Sequence, residues 1–432
     1  MTQFRSTRRD AIAALGAAAV VLGGGARTAM AQSQAPAAAA GAKVLKIGVL
    51  GVMRGPAASW GLVNKYCAET TAEMYDEQGG VEIGGERYRI QVVSVDDQLD
   101  PKLALAGAER LLGEGIRYII GPNVDTTAAV IVPLLRSSNA VNVAYGFAKY
   151  LYAPPQRHSI LGMVASYQAS PIIYDYLKQT KGIRSVSFVA RREADSLNQR
   201  DENVVEARRH GLVVVSSSFT YEPGTLDFRP VMARVLAGRD PPPVLTGITG
   251  QLGGPAAPVG GRPDLIELSG VAPADAPLIL IALRELGYGG LVCTETAQDA
   301  LLLRDAGEAA EGFISVGGGL APELYSPYKE DFVRRYTARA GRWHDEAGTK
   351  VYALETILRT LQAVGPAAIA DATPFLEAIP AFATDDPFVK DKRVLRYGGE
   401  RTFNQPRQIA VPLVVNEFRG GAFQPLFVGS VA

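Results

Sequence analysis

The residues that most often do chemistry are sparse in this chain. The three histidines, His158, His210 and His344, are scattered and match no metal-ligand spacing. The two cysteines, Cys67 and Cys293, read as buried free thiols, because one falls mid-helix and the other in a distant predicted strand. No Gly-x-Ser-x-Gly elbow occurs. The first predicted strand runs through Gly48-Val49-Leu50-Gly51 and lacks the Gly-x-Gly-x-x-Gly fingerprint of dinucleotide sites. Gly317-Gly318-Gly319 follows a strand but leads to Pro322, not to a helix. Carboxylates are plentiful, yet no spacing selects a catalytic pair. What remains is recognition without turnover, and no cofactor or metal is expected. Trp60 offers a flat apolar wall and one N–H donor. Asp125-Thr126-Thr127 opens a predicted helix, where unpaired amides attract polar or anionic groups. Tyr145, Gly146 and Phe147 offer a stacking surface at the end of another strand.

These residues must be positioned by a scaffold, and the pattern of the chain supplies one. From Lys46 short apolar runs alternate with amphipathic stretches. Lys46–Leu50, Arg87–Ser94, Tyr118–Ile120 and Val141–Tyr145 read as strands. Trp60–Gln78, Lys102–Leu112 and Ala128–Arg136 read as helices between and after them, the first stopped by Gly79-Gly80. A second series follows Gly162, with strands at Ser185–Val189, Leu212–Ser216, Asp264–Leu268 and Leu291–Cys293. Its helices are Ser170–Lys181, Asp201–His210, Phe228–Ala237 and Pro277–Leu286. Later come a strand at Gly312–Val316, helices at Pro327–Ala340, Thr349–Val364 and Thr373–Ala378, and strands at Val394–Tyr397 and Gln408–Val415. Two runs of βα units demand an α/β fold of two Rossmann-like lobes, each with a parallel central sheet. The expected division is 43–163 with 318–395 for lobe 1 and 164–317 with 396–432 for lobe 2. The Pro/Gly-rich stretch 240–263 reads as a surface insertion.

The N-terminus is read apart from the fold. Arg5, Arg8 and Arg9 precede an apolar run from Ala11 to Gly25, and Ala29-Met30-Ala31 resembles a cleavage site. Residues 1–31 are expected to be a signal peptide of twin-arginine or general secretory type, and 32–42 a disordered leader. The run is shorter than the roughly 20 residues of a membrane span. Lys+Arg and Asp+Glu each number 44, and removing residues 1–31 leaves a net charge of −3. No basic excess points to nucleic acid.

Six segments, in order, resemble one family. They are Lys46-Ile47-Gly48-Val49-Leu50, Gly55-Pro56 with Trp60-Gly61, Gln78-Gly79-Gly80-Val81, Asp96-Asp97 with Asp100-Pro101-Lys102, Gly115 to Pro122, and Ala310-Glu311-Gly312-Phe313. Together they are similar to the branched-chain amino-acid-binding proteins of ABC importers, which have the type I periplasmic binding fold. The resemblance implies two lobes joined by three hinge crossings and a periplasmic, monomeric carrier that closes on a small-molecule ligand. The implied partners are an ABC permease and its ATPases. It places Trp60 at the cleft and gives the loop at Asp125, Thr126 and Thr127 the place of hydroxyl residues that hold a ligand carboxylate. Tyr145 and Phe147 stand where the family has small polar groups. Tyr167 and Gln168 start a helix that can reach the cleft. Asp195 stands near a family tyrosine, and Glu295 within a residue of the family glutamate that grips the ligand ammonium.

Asp125 has two open readings, helix cap or ligand contact. Facing the ligand, it disfavours a carboxylate, since like charges 4 Å apart cost on the order of 4 kcal/mol near a protein surface. That is half of the roughly 8 kcal/mol behind micromolar binding. The expected ligand is a small polar amino acid, amide, amine or aromatic derivative. The rival readings are a ligand sensor of the same fold and an exported oxidoreductase carrying a cofactor.

Overall fold

The computed structural model describes residues 43–238, 261–317, 322–391 and 393–429. The expected signal peptide and leader, most of the 240–263 insertion and residues 318–321 lie outside these.

The first lobe is built on a sheet of nine strands among the described residues. In chain order they are β1 (Lys43–Gly51), β2 (Val81–Ile83), β3 (Glu86–Asp96), β4 (Tyr118–Ile120), β5 (Val141–Ala144) and β6 (Ser159–Leu161), then β12 (Ala383–Asp385), β13 (Val394–Gly398) and β14 (Gln408–Ile409). The second lobe has seven: β7 (Ser185–Arg191), β8 (Val213–Tyr221), β9 (Leu265–Ser269), β10 (Leu291–Thr294), β11 (Ile314–Gly317), β15 (Leu413–Arg419) and β16 (Ala422–Gly429). Spatial order is β12-β13-β14-β6-β5-β4-β1-β3-β2 in one and β16-β15-β11-β10-β9-β7-β8 in the other. The central strands are parallel in both. Antiparallel pairs stand at the margins, β2 on β3 in the first sheet and β15 with β16 in the second.

The main helices are α1 (Ala58–Glu77), α2 (Pro101–Gly113), α3 (Asp125–Ser137), α4 (Ser166–Lys181), α5 (Ala194–Arg209), α6 (Arg229–Leu236), α7 (Ala276–Glu285), α8 (Pro327–Ala340), α9 (Ala347–Lys350) and α10 (Tyr352–Val364). Local chemistry explains their ends. Asp100 caps α2, its Oδ1 accepting the Lys102 amide at 2.6 Å, with Pro101 in the first turn. That accounts for the Asp-Pro-Lys segment without any ligand. The sheets bury apolar faces against these helices: Leu50, Leu111, Ile119, Ile131 and Leu135 pack in lobe 1, and Phe219, Phe228, Ile279 and Phe313 in lobe 2. Burying one such side chain stabilises the fold by roughly 1.5–3 kcal/mol.

The chain changes sheets three times, after β6, after β11 and after β14. The last change differs from expectation. The division at 395/396 cuts through β13 and puts β14 in lobe 2, but both strands belong to the first sheet. The apolar run Gln408–Val415, expected as one strand, is split: β14 ends at Ile409 and β15 begins at Leu413. Pro412 lies in the break, and proline brings no N–H to a ladder. The three-residue strands β2, β6 and β12 are too short to show a period, and neither they nor the longer edge strand β16 is among the expected strands. Cys67 and Cys293 are buried free thiols in different lobes.

Candidate functional site

In parallel α/β sheets the loops that gather beyond the carboxyl ends of the strands form the binding crevice. Here those loops meet from both lobes around one shared hollow. Lobe 1 contributes Trp60 from the first turn of α1, Asn123 after β4, Tyr145 and Phe147 after β5, and Met163 after β6. Lobe 2 contributes Asp195 and Gln199 from α5, Gly270 after β9, and Thr296 and Ala297 after β10. Glu346 and Lys350, at α9, complete the lining after the second crossing. Of the residues proposed from sequence, Trp60, Tyr145, Phe147 and Asp195 therefore line one hollow.

The others lie elsewhere. Thr126 is exposed, and the Thr127 hydroxyl donates to the Val124 carbonyl within its own turn at 3.1 Å. Neither reaches the hollow, because they follow the helix away from its first residue. Tyr167 is buried beside the cleft, its hydroxyl donating to the Phe147 carbonyl at 2.9 Å, so it props up the aromatic loop. Gly146 lies behind that loop. A Cβ there would sit 2.6 Å from Asp125 Oδ1, so only glycine lets the loop pack on α3. Glu295 turns into its own lobe, accepting the Gly270 amide at 3.2 Å and the Thr294 hydroxyl at 3.3 Å. Gln168 bonds to Gln408 at 2.9 Å near the crossing.

Asp125 resolves the two open readings into a third. The N-cap of α3 is Val124, and no side chain caps it. The Asp125 carboxylate instead accepts the Ala148 amide at 2.9 Å and, across the cleft, the Asn198 amide at 3.4 Å. Its own backbone N–H donates to Asp195 Oδ1 at 3.2 Å. Asp195 Oδ2 accepts from Gln199 Nε2 at 2.7 Å. Burial pushes both carboxyls above the usual carboxylate range, and the Asp125 charge pushes Asp195 further.

Sequence reasoning missed Lys350 and Glu346. Lys350 Nζ donates to the Trp60 carbonyl at 2.7 Å, pairs with Glu346 at 2.7 Å, and lies 4.9 Å from the centre of the Tyr145 ring. Burial lowers the pKa of its ammonium. The i,i+4 spacing of Glu346 and Lys350 was the available signal. Asn123, Met163, Gln199, Gly270, Thr296 and Ala297 carried none beyond their loops. Three buried atoms of the lining have no hydrogen-bond partner: Asn123 Oδ1, Tyr145 Oη and Gln199 Oε1. The amide nitrogens of Asn123 and Gln199 are taken by the Trp60 carbonyl and Asp195, so the free atoms are acceptors. Burial holds the Tyr145 phenol protonated, and its hydroxyl is available to donate or accept.

Across the cleft Arg191 of lobe 2 stacks on Trp60 of lobe 1, 5.6 Å from the ring centre. Lys149 reaches Glu202 at 2.8 Å, and Arg342 reaches Asp299 at 2.6 Å. The histidines are structural: His158 meets the Ala140 carbonyl, His210 meets Asp175 and His344 meets the Tyr336 hydroxyl. Among the described residues no group of three or more His, Cys, Asp or Glu side chains is arranged to hold a metal, and no helix is long and apolar enough to cross a membrane.

Comparison with known proteins agrees with this architecture. The family described as "Periplasmic binding protein" matches residues 44–406. The Leu/Ile/Val-binding protein of Escherichia coli K12 is 35% identical over 80 residues, 18% of this chain and 21% of that protein. That stretch is about a fifth of the relative's length. Among solved structures, the Leu-, Ile-, Val-, Thr- and Ala-binding protein from Brucella ovis, in its closed conformation, superposes with TM-score 0.71 at 19% identity, covering 90% of this chain and 96% of that one. An ABC transporter solute-binding protein from R. palustris in complex with 4-hydroxybenzoate gives TM-score 0.69 at 17% identity, covering 90% and 97%. With a family match over most of its length, two lobes, three crossings and a hollow lined from both sides, this chain belongs to the periplasmic binding protein family.

Proposed function

We propose that the protein captures a small polar solute between its lobes and delivers it to an ABC permease driven by cytoplasmic ATPases. One observation carries the reading most directly. The hollow is lined from both lobes, and its walls hold buried acceptors and a phenol with no partner in the protein. Leaving such groups unsatisfied costs about 1–3 kcal/mol each, so they favour a solute that pairs with them. The lining combines aromatic walls with few polar groups, which suits recognition. No bond-making step is assigned to it.

The remaining parts of the proposal rest on sequence. Arg5, Arg8, Arg9 and the apolar run to Gly25 support export to the periplasm, by the twin-arginine or the general route. The relatives' names support an amino acid or an aromatic compound as ligand, and the amide or amine reading rests on the carboxyl groups of the loops alone. Native mass spectrometry of freshly purified protein tests the reading. A retained small molecule, lost on mild unfolding, is expected. Solution scattering should show a smaller radius of gyration once that molecule is added back. Protein that carries nothing, and whose scattering no small solute changes, contradicts the proposal.

A further inference from the structure

Two helices point their N-termini at each other across the cleft, α3 from lobe 1 and α5 from lobe 2. Such ends carry unpaired amides and partial positive charge, and they attract anions. In this protein each end already has its own carboxylate. Asp125 is the first residue of α3, and Asp195 lies in the first turn of α5. Asp195 also crosses the cleft: its Oδ1 accepts the Asp125 amide of α3 at 3.2 Å. The position an incoming carboxylate would take at α3 is thus filled from the opposite lobe. The cation that lines the hollow is committed as well: Lys350 is paired with Glu346 and the Trp60 carbonyl. Arg191, outside that lining, pairs with Glu193 through one terminal nitrogen and keeps a buried Nε without a hydrogen-bond partner.

The free groups favour a different ligand. Gln199 Oε1 and Tyr145 Oη belong to lining residues that are 1% and 2% exposed, and neither has a partner. Gln199 is held in place by its own bond to Asp195. Trp60, Tyr145 and Phe147 wall the same hollow with rings. An acceptor and a hydroxyl between aromatic walls fit a flat solute with N–H or O–H donors.

We propose that Asp195 sets the specificity of the cleft. Its carboxylate stands in for a ligand carboxylate at the N-terminus of α3, so the closed site takes a flat, donor-bearing neutral or cationic solute and rejects acids. This rests on the cleft being the binding site, as proposed above.

Benzoate and benzamide test it, because they share ring and size and differ in carboxylate against carboxamide. Calorimetry on the full chain should show wild type binding benzamide on the order of tenfold or more tighter than benzoate, since Asp195 already occupies the α3 amide that the acid would need. Asp195→Ala should gain benzoate affinity by a similar factor. Asp195→Ser serves as a second variant, with thermal melting to confirm that each is folded. A wild type that prefers benzoate overturns the proposal. So does the absence of any benzoate gain in folded variants, whether the affinity is measurable or not. The outcome is separable from the cleft reading. A variant that still carries the co-purified solute, yet gains nothing for benzoate, removes the role of Asp195 and leaves the cleft intact.

Discussion

Lys350 enters the hollow with its charge already matched. It is 2% exposed and held by Glu346, the Trp60 carbonyl and the face of Tyr145. Removing one partner of a buried pair leaves the other charge uncompensated, at a cost of about 3–5 kcal/mol. Lys350→Met should therefore lower stability by about 3 kcal/mol in urea unfolding. The double variant with Glu346→Gln should recover much of that loss, because neither charge is then stranded. If the double variant is as unstable as the single one, packing of the lysine stem outweighs the ion pair. Gly146 makes a second case. Its Cβ would meet Asp125 Oδ1 at 2.6 Å, so Gly146→Ala should cost about 1–3 kcal/mol and weaken solute binding through the displaced Phe147. Equal melting curves and affinities for variant and wild type would contradict this.

At the scale of elements, β9 and β10 bring two buried carboxyls under the cleft. Glu267 is held by Ser170, Tyr174 and Asn203, and Glu295 by Gly270 and Thr294. Burial raises Glu267 to about 7 and Glu295 to about 8, the latter also by the Glu267 charge. Both lie above the usual 4.5, so the folded protein holds more protons than the unfolded chain between 4.5 and about 8. Their contribution is full below 4.5 and is lost as pH rises through 7 and 8. The melting temperature should therefore fall between pH 4.5 and about 8 and level off above that, by roughly 2–4 °C per kcal/mol lost. Glu267→Gln should flatten that slope. A slope unchanged in the variant would place its origin elsewhere.

Across the whole molecule, the described conformation is held by contacts between the lobes: Lys149 with Glu202, Arg342 with Asp299, Arg191 on Trp60, and Asp125 with Asp195. A solute shifts an open–closed equilibrium only by its extra affinity for the closed state. Weakening one of these contacts that lies outside the hollow therefore lowers apparent affinity without touching the solute. Arg342 does not contact the hollow, and its partner Asp299 lies beyond β10. Arg342→Ala should enlarge the unliganded radius of gyration and weaken binding by roughly three- to tenfold. Scattering and calorimetry on the same samples check this together, and an unchanged radius with unchanged affinity would show that this pair does not govern closure.

The alternation of short apolar runs with helical stretches was enough to determine two α/β lobes, because strands buried on both faces and amphipathic helices leave unmistakable periods. The aromatic wall was legible too, since Trp60, Tyr145 and Phe147 follow strands in loops that α/β topology sends to the crevice. Other features depended on contacts between residues far apart in the chain. Pro412 ends one sheet and admits the next only because the lobes stand where they do. Glu295 faces inward because the Gly270 amide and the Thr294 hydroxyl take its oxygens. Asp125 and Asp195 are 70 residues apart and meet across a cleft, a pairing that no local pattern encodes. Lys350 and Glu346 reach the hollow only after the chain has crossed between lobes twice. Periodicity reports which face of an element is buried, and only tertiary packing decides which charges come to share that burial.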